Sequence, residues 1–303
     1  MTQLAQAPGK RLPGTPVPSN TWTGFNGVTI AGDIWGQPDG PLVVLQHGGG
    51  QTRHAWKNTG ETLGRAGYYV VAIDARGHGD SSWASDGDYS GTAMVRDLCC
   101  VIDALNCQSN RPAILVGASM GGGTSIIAIG EKFISAAALI LVDMAPQIET
   151  EGAQEVLDFM AQRPEGFASL EEVSDTIAGY QPHRKRPRNL DGLAKNVRLA
   201  DDGTYRWHWD PAWHLAREPI AQYRNRMIAA ADHLNCPTLL VRGGLSNVLS
   251  EAGAQSFLNQ CPQAEYVNVG DAAHMVAGDR NDIFSNAVVE FLFRTVPTGD
   301  TIV

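Results

Sequence analysis

Short apolar runs alternate with helix-like segments along most of this chain of 303 residues, and this alternation limits its possible folds more than any other feature. Seven runs rich in branched apolar residues are strand candidates: 28–35, 42–46, 68–74, 113–117, 138–143, 238–243 and 265–270. Helical patterns separate them, near 55–66, 91–106, 120–132, 250–260 and 281–294. Strands that are almost continuously apolar are typical of a sheet covered on both faces. The pattern therefore predicts an α/β fold, a mostly parallel sheet with helices on both faces.

The alternation is interrupted once, between residues 146 and 232, where no comparable strand series occurs. This region contains two helical patterns, a basic stretch that we interpret as a solvated face, and a hairpin pattern around an Asp-Gly turn signal. They lie at 151–163, 170–180, 183–188 ("HRKRPR") and 202–203. An insertion between strands of an open α/β sheet lies over the carboxyl ends of the strands, where such folds bind ligands. We therefore predict a cap over 146–232.

The remaining segments, 21–145 and 233–303, form the predicted core. Residues 1–20 are rich in Pro, Gly and polar residues and lack the apolar centre of a secretory signal, so we expect a flexible tail. No apolar run approaches the roughly 20 residues that span a bilayer. The net charge of -9 argues against nucleic acid or an anionic membrane as a partner, because a polyanion needs a basic face.

The chain has five cysteines, an odd number, and none shows CxxC spacing. We therefore expect neither a disulfide framework nor a zinc site, and buried thiols in a reducing cytoplasm fit better. The cysteines are Cys99, Cys100, Cys107, Cys236 and Cys261.

A serine between glycines follows the apolar run at 113–117. Gly117-Ala118-Ser119-Met120-Gly121 matches G-x-S-x-G after a predicted strand and before a predicted helix. A strand that turns at once into a helix strains the backbone of its corner residue, and flanking side chains would clash there. Ser119 is therefore predicted to project alone as a nucleophile. The free amides at the start of the helix suit a developing negative charge.

Two further segments supply partners for this serine. At the end of a predicted strand, "HGGG" (47–50) exposes bare backbone, and we predict the Gly49 amide as an oxyanion donor together with the Met120 amide. His274 follows the last predicted strand, the place for a general base. His47 and His78 are interpreted as structural, each holding its own loop by hydrogen bonds.

These motifs together resemble the α/β-hydrolase superfamily, in particular its capped esterase, lactonase and cofactor-free peroxidase-like members. The matching motifs are HGGG (47–50), D-x-R-G-H-G-x-S (74–81), G-x-S-M-G-G (117–122) and A-H-M (273–275). The resemblance covers roughly residues 22–295. It implies an α/β-hydrolase fold with a cap inserted after the sixth strand, and it implies the roles of nucleophile for Ser119, base for His274 and oxyanion donors for the Gly49 and Met120 amides.

The acid of the triad departs from the pattern of this superfamily, which usually carries R-G-x-x-S-D after the strand at 238–243. This chain reads "RGGLSN", with Asn247 at the expected aspartate. A neutral amide can fix the tautomer of the histidine but does little to stabilise the imidazolium. Asp143, at the end of the run 138–143, is our first candidate for the acid, because some dehalogenases of the superfamily supply it from that strand. Asn247 itself, Asp271 and Glu251 remain alternatives.

The substrate pocket is the least readable part of the sequence. Its candidate residues flank the oxyanion loop or lie among the cap aromatics: Gly48, Gly50, His54, Trp56, Trp209 and Trp213. Trp207 and Phe159 belong to the same aromatic group, which is explained equally well by packing inside a small cap.

Three functions are compatible with these residues. The first is hydrolysis of a small-molecule substrate, a carboxylic ester or lactone with an apolar body, through an acyl-enzyme, which needs no metal or cofactor. The second is a cofactor-free peroxidase or perhydrolase that uses the same triad. The third is a small-molecule binding protein on a hydrolase scaffold, which Asn247 keeps under consideration. The oligomeric state stays open, with a homodimer as one alternative.

Overall fold

An eight-stranded sheet forms the centre of the computed structural model, which describes residues 9–106, 111–180, 190–214, 218–279 and 281–299. The strands in these ranges are β1 (Asn20–Thr23), β2 (Thr29–Trp35), β3 (Leu42–Gln46), β4 (Tyr69–Ile73), β5 (Ala113–Ala118), β6 (Ala136–Val142), β7 (Val197–Leu199), β8 (Tyr205–Trp207), β9 (Thr238–Gly243) and β10 (Ala264–Val269). The sheet order is β1-β2-β4-β3-β5-β6-β9-β10, and β7 and β8 form a separate antiparallel hairpin. The first two strands are antiparallel to their neighbours and the other six run parallel.

Helices connect and cover these strands. The α-helices are α1 (Lys57–Arg65), α2 (Gly91–Asn106), α3 (Met120–Gly130), α4 (Thr150–Met160), α5 (Leu170–Tyr180), α6 (Ile220–Ala231), α7 (Glu251–Gln260), α8 (Val276–Asp279) and α9 (Asn281–Thr295). Short 3-10 helices occupy Phe25–Gly27, Arg53–Trp56, Asp191–Asn196 and Pro211–His214. Within the described ranges, no helix is long and apolar enough to cross a membrane.

Both faces of the sheet are buried, which explains the near-continuous apolar strands. Along β3, Val44 packs into one apolar cluster with α2 and α3, while Val43 and Leu45 pack into a second cluster with α1 and α9. Alternate residues of a strand point to opposite faces, so a strand buried on both faces must be apolar at every position. The predicted mostly parallel sheet with helices on both sides is confirmed.

The region predicted to be a cap contains α4, α5 and the β7–β8 hairpin, which lie between β6 and β9 in the chain. The hairpin confirms the prediction made from Asp202-Gly203. Helix α6 was not predicted, because only three of its residues are buried (Met227, Ala230 and Ala231) and its apolar pattern is correspondingly weak. It packs directly on α3, where a Cβ on Gly130 would come within 2.1 Å of the Ala230 carbonyl oxygen. The basic stretch 183–188 lies outside the described residues.

The expected flexible tail of residues 1–20 is corrected from residue 9 onward. Lys10 exchanges two backbone hydrogen bonds with Leu199 of the cap hairpin, at 2.8 and 2.9 Å. Leu12 is buried, and Asn20 begins the edge strand β1. The ordered structure of this segment could not be predicted from its polar, Pro-rich composition, because most of its hydrogen bonds are made by backbone groups, which every sequence has.

The described cysteines are free thiols: Cys99, Cys100, Cys236 and Cys261. Cys107 lies outside the described residues.

Candidate active site

Ser119 stands at the corner between β5 and α3, with φ 46° and ψ -113°, a conformation that side-chain-bearing residues rarely adopt. A Cβ on Gly117 would lie 2.4 Å from the backbone of Gly121, and one on Gly121 would lie 2.5 Å from the Gln46 carbonyl oxygen. Both glycines are therefore required by the tight packing of this corner. Met120 begins α3, so its amide has no carbonyl partner within the helix.

The loop at residues 47–50, which is the predicted oxyanion loop, lies against this corner, since a Cβ on Gly48 would approach the Ser119 Cβ to 3.1 Å. The three glycine N–H groups of this loop differ in their hydrogen-bond acceptors. The Gly48 N–H donates to Gln51 Oε1 at 3.2 Å, and the Gly50 N–H donates to His78 Nε2 at 3.2 Å. The Gly49 N–H has no acceptor among the described residues. Gly49 is therefore the glycine of this loop whose amide is open to a ligand.

His47 and His78 hold the loops on which they lie. The Ala75 N–H donates to His47 Nε2 at 3.0 Å, so His47 Nδ1 carries the proton and donates to the Gly48 carbonyl at 2.8 Å. His78 Nδ1 lies 3.2 Å from the Arg76 carbonyl. Burial lowers the pKa of His47 and brings the pKa of His78 to about 3, so both rings are neutral near pH 7. These contacts agree with the structural role expected for both histidines.

Asp143 lies beside His274, with Asp143 Oδ2 2.6 Å from His274 Nδ1. The carboxylate is fully buried and follows β6 directly, with φ 48°. It also accepts hydrogen bonds from the Gly243 N–H at 2.8 Å and from the Ser246 hydroxyl at 2.5 Å. The Ser119 N–H donates to the Val142 carbonyl at 3.2 Å, so the ends of the parallel neighbours β5 and β6 bring Ser119 and Asp143 to one edge of the sheet.

The alternative acids have other surroundings. The Asn247 side-chain amide is exposed and donates to Glu155 of α4. Glu251 accepts from the Tyr266 hydroxyl at 2.6 Å, and Asp271 is exposed. Asp143 is therefore the candidate acid whose carboxylate the structure shows at the imidazole.

A cavity of about 740 Å³, including space open to solvent, lies above Ser119. Gly49, Ser119 and Met120 line it together with residues of the cap and of the loop after β6. Four methionines contribute to its wall: Met94, Met120, Met144 and Met160. Since methionine is flexible and polarizable, such a wall adapts to apolar groups of different shape.

The predicted pocket residues separate into four groups. Trp213 lines the cavity as expected. Trp209 is buried behind it, stacked on Trp207 at 4.7 Å between ring centroids, and its indole N–H donates to the Met160 carbonyl at 3.1 Å. Packing within the cap therefore explains this part of the aromatic group. Gly48 and Gly50 shape the loop and are not part of the cavity lining described above.

His54 and Trp56 were wrongly predicted to face the site. Trp56 is 1% exposed and its ring centroid lies 5.9 Å from that of Phe284 in α9, under the opposite face of the sheet. The His54 side chain is 11% exposed, and its Nδ1 lies 3.9 Å from Asp33 Oδ2. The 3-10 helix Arg53–Trp56 turns the chain away from the oxyanion loop toward α1, which sequence spacing alone does not reveal.

Sequence reasoning missed Ser246 and three of the methionines. Ser246 lies in the "RGGLSN" stretch itself, next to Asn247, where the superfamily usually carries its acid. Met144 comes two residues after β6 and Met160 ends helix α4, both in the part of the chain that follows the carboxyl end of β6. Their position in the chain is the signal that could have identified them, because ligands bind beyond that edge.

Fold and site together define the class of protein, an α/β-hydrolase with a serine at the strand–helix corner. Residues 37–281 match the model of the family described as serine aminopeptidase, S33. The chain belongs to this family of the α/β-hydrolase superfamily, and it is an enzyme of the hydrolase class.

Individual relatives agree with this assignment. Esterase Rv0045c of Mycobacterium tuberculosis is 27% identical over 252 residues, which cover 81% of this chain and 80% of that protein. The sn-1-specific diacylglycerol lipase ABHD11 of Mus musculus is 25% identical over 265 residues, 83% of this chain and 81% of the lipase. Among solved structures, E-2-(acetamidomethylene)succinate hydrolase is similar with a TM-score of 0.76 and 23% identity over 90% of this chain and 98% of that one, a likeness of fold.

Proposed function

We propose that the chain hydrolyses carboxylic esters by nucleophilic catalysis. Ser119 Oγ attacks the ester carbonyl while His274 takes its proton, and the Gly49 and Met120 amides stabilise the oxyanion. The protonated imidazole then gives the proton to the departing alcohol, leaving an acyl group on Ser119. A water molecule, deprotonated by His274, releases the acid and restores the serine. Asp143 orients the imidazole and stabilises its positive charge in both steps.

The observation that carries this proposal is that Ser119, Gly49 and Met120 line the same cavity. The nucleophile and both candidate oxyanion donors therefore face a common space, as the chemistry requires. The contact between Asp143 and His274 supports the same proposal, because it gives the imidazole a carboxylate partner other than Asn247, the residue that kept a binding protein under consideration.

The cavity wall favours an ester with an apolar, flexible body. Its methionines and Trp213 offer a surface that fits alkyl or aromatic groups without polar partners. The acid in the lining, Glu218, accepts from Arg226 Nη1 at 3.1 Å through Oε1, while its buried Oε2 has no hydrogen-bond partner among the described residues. Lactones with an apolar substituent belong to the proposed substrate class, since ring opening uses the same steps.

The test is a panel of p-nitrophenyl esters from acetate to octanoate, apolar lactones and an amino-acid p-nitroanilide. We expect turnover of the esters and lactones, little of the anilide, and a loss of at least about 10³-fold in kcat in Ser119→Ala. Ser125→Ala is the matched control, because this buried serine of the same helix bonds Gln46 and Gly121 instead of facing the cavity. Equal ester turnover in Ser119→Ala and in the unchanged protein contradicts the proposal.

A further inference from the structure

A third buried histidine, His208, reaches the oxyanion loop from the cap. It lies just after β8 and is completely buried. The Gly79 N–H donates to His208 Nδ1 at 2.8 Å, so in the neutral ring Nε2 carries the proton. His208 Nε2 lies 3.3 Å from the Gly50 carbonyl oxygen and therefore donates to it.

His47, His78 and His208 thereby hold three consecutive peptide units. His47 binds the carbonyl of the unit that joins Gly48 to Gly49. His78 accepts from the N–H of the unit that joins Gly49 to Gly50. His208 binds the carbonyl of the unit after Gly50. The rings follow one another in space, with centroid distances of 5.3 Å from His47 to His78 and 5.9 Å from His78 to His208.

This restraint has a physical purpose in a loop of three glycines. The Gln51 N–H donates to the Gly48 carbonyl at 3.1 Å, which closes a four-residue turn with Gly50 at φ 69°. Glycines allow this turn but also leave its backbone the greatest freedom. A peptide unit is planar, so a bond to its carbonyl or N–H fixes the direction of the other group. Fixing the three units therefore fixes where the Gly49 N–H points.

We propose that His208 is a positioning residue, through which the seated cap orients the oxyanion donor Gly49. The proposal rests on the function proposed above for Gly49. Of the three histidines, His47 and His78 belong to the core, and His208 alone comes from the cap. The oxyanion loop therefore takes its full set of restraints only with the cap in place on the core.

The two nitrogens of His208 allow this role to be separated from simple attachment of the cap. In His208→Gln, the side-chain amide can occupy the position of Nε2 and donate to Gly50, while the acceptor for Gly79 is lost. In His208→Asn, the side-chain oxygen can occupy the position of Nδ1 and accept from Gly79, while the donor to Gly50 is lost. Each variant thus keeps one of the two bonds and serves as the control for the other.

The experiment measures kcat, KM and melting temperature with p-nitrophenyl butyrate for both variants. We expect His208→Asn to lower kcat about 3- to 10-fold with KM within about twofold, the effect of one neutral hydrogen bond. We expect His208→Gln to keep kcat within about twofold even where its melting temperature is lower. The proposal is overturned if His208→Asn has unchanged kcat. It is also overturned if, in both variants, the loss of kcat is proportional to the loss of melting temperature, because the effect is then one of stability alone.

Hydrogen exchange of the backbone amides of residues 47–53, followed in the proteolytic peptide that contains them, measures the restraint of the loop independently of catalytic activity. We expect faster exchange in His208→Asn than in His208→Gln. Equal exchange in the two variants overturns the role of His208, whereas a protein with this difference and no esterase activity contradicts the proposed function alone.

Discussion

Two parts of the proposed site are restrained by different means: the loop at 47–50, called the oxyanion side, and the pair Asp143–His274, called the base side. On the oxyanion side, neutral histidines hold backbone groups of the loop at 47–50, and burial lowers the pKa values of His47, His78 and His208. On the base side, a buried carboxylate contacts an imidazole directly, Asp143 to His274 at 2.6 Å. The oxyanion side thus uses dipoles and the base side uses a charge.

This difference matches the charge that each side meets in the proposed reaction. The oxyanion is transient, and fixed N–H dipoles stabilise it without reorganisation. The imidazole becomes a cation each time it takes the serine proton, so it needs a permanent negative partner. Substitutions on the base side should therefore mainly lower kcat. Substitutions on the oxyanion side should change both kcat and the pH dependence of the free energy of unfolding.

The largest effect is expected from Asp143→Asn. Asp143 accepts from three donors, on Gly243, Ser246 and His274, and an asparagine would turn an NH₂ group toward at least one of them. It also removes the charge that stabilises the imidazolium. We expect kcat for p-nitrophenyl butyrate to fall about 10³- to 10⁴-fold. A fall of less than tenfold would mean that the base side works without its carboxylate, and the contrast drawn above would be lost.

Acid should weaken the oxyanion side through its histidines. Burial lowers the pKa of His78 from 6.5 to about 3, and it lowers the pKa values of His47 and His208 as well. Between about pH 6.5 and pH 3 the unfolded chain binds more protons than the folded one, so the free energy of unfolding falls as the pH falls. The slope is at most about 1.4 kcal/mol per pH unit for each histidine.

Urea unfolding at pH 7.5, 6.0 and 5.0 measures this slope. His78→Gln is the comparison, since glutamine accepts from the Gly50 N–H but takes up no proton in this range. We expect a smaller dependence on pH in the variant, by about one proton. The same slope in both proteins would mean that other groups govern the acid response.

A smaller effect is expected from Ser246→Ala on the base side. Ser246 donates to Asp143 Oδ2, and its oxygen accepts from the Val248 and Leu249 amides at 3.1 and 3.2 Å. Without the hydroxyl, the Asp143 carboxylate keeps its charge but loses one of the hydrogen bonds that fix its orientation, so we expect kcat to fall about tenfold. Ser250→Ala is the matched control. Ser250 caps α7 by accepting from Gly253, so its loss should cost about 1 kcal/mol of stability and leave kcat unchanged.

The sequence predicted those parts of the molecule that depend on local sterics or on burial of both sheet faces. Strands such as β3 and β5 have to be apolar throughout, and helix α2 has the bounds 91–106 that its pattern indicated. The corner at Ser119 could be predicted because only glycine fits at positions 117 and 121 around it. Strand β1 was not, because its edge position requires no apolar residues and its sequence, "NTWT", is mostly polar.

The sequence could not predict which segments, remote in the chain, lie close together in space. Asp143 and Asn247 were both reasonable partners for His274, and only the meeting of the segments after β6, β9 and β10 distinguishes them. Trp56 follows the oxyanion loop closely, yet its ring contacts α9, because a short 3-10 helix redirects the chain. His208 could not be connected to Gly50 at all, since 158 residues separate them.

The smallest effect is expected from Asn247→Asp, which restores the acid that the superfamily usually has at this position. Asn247 is exposed and contacts Glu155 of the cap, whereas Asp143 already lies at the imidazole. An aspartate here would meet the Glu155 carboxylate, so we expect kcat within about twofold and up to about 1 kcal/mol less stability. The double variant with Glu155→Gln should recover that stability. A tenfold gain in kcat from Asn247→Asp would instead place the working acid after β9, because a second carboxylate helps only if the imidazole can reach it.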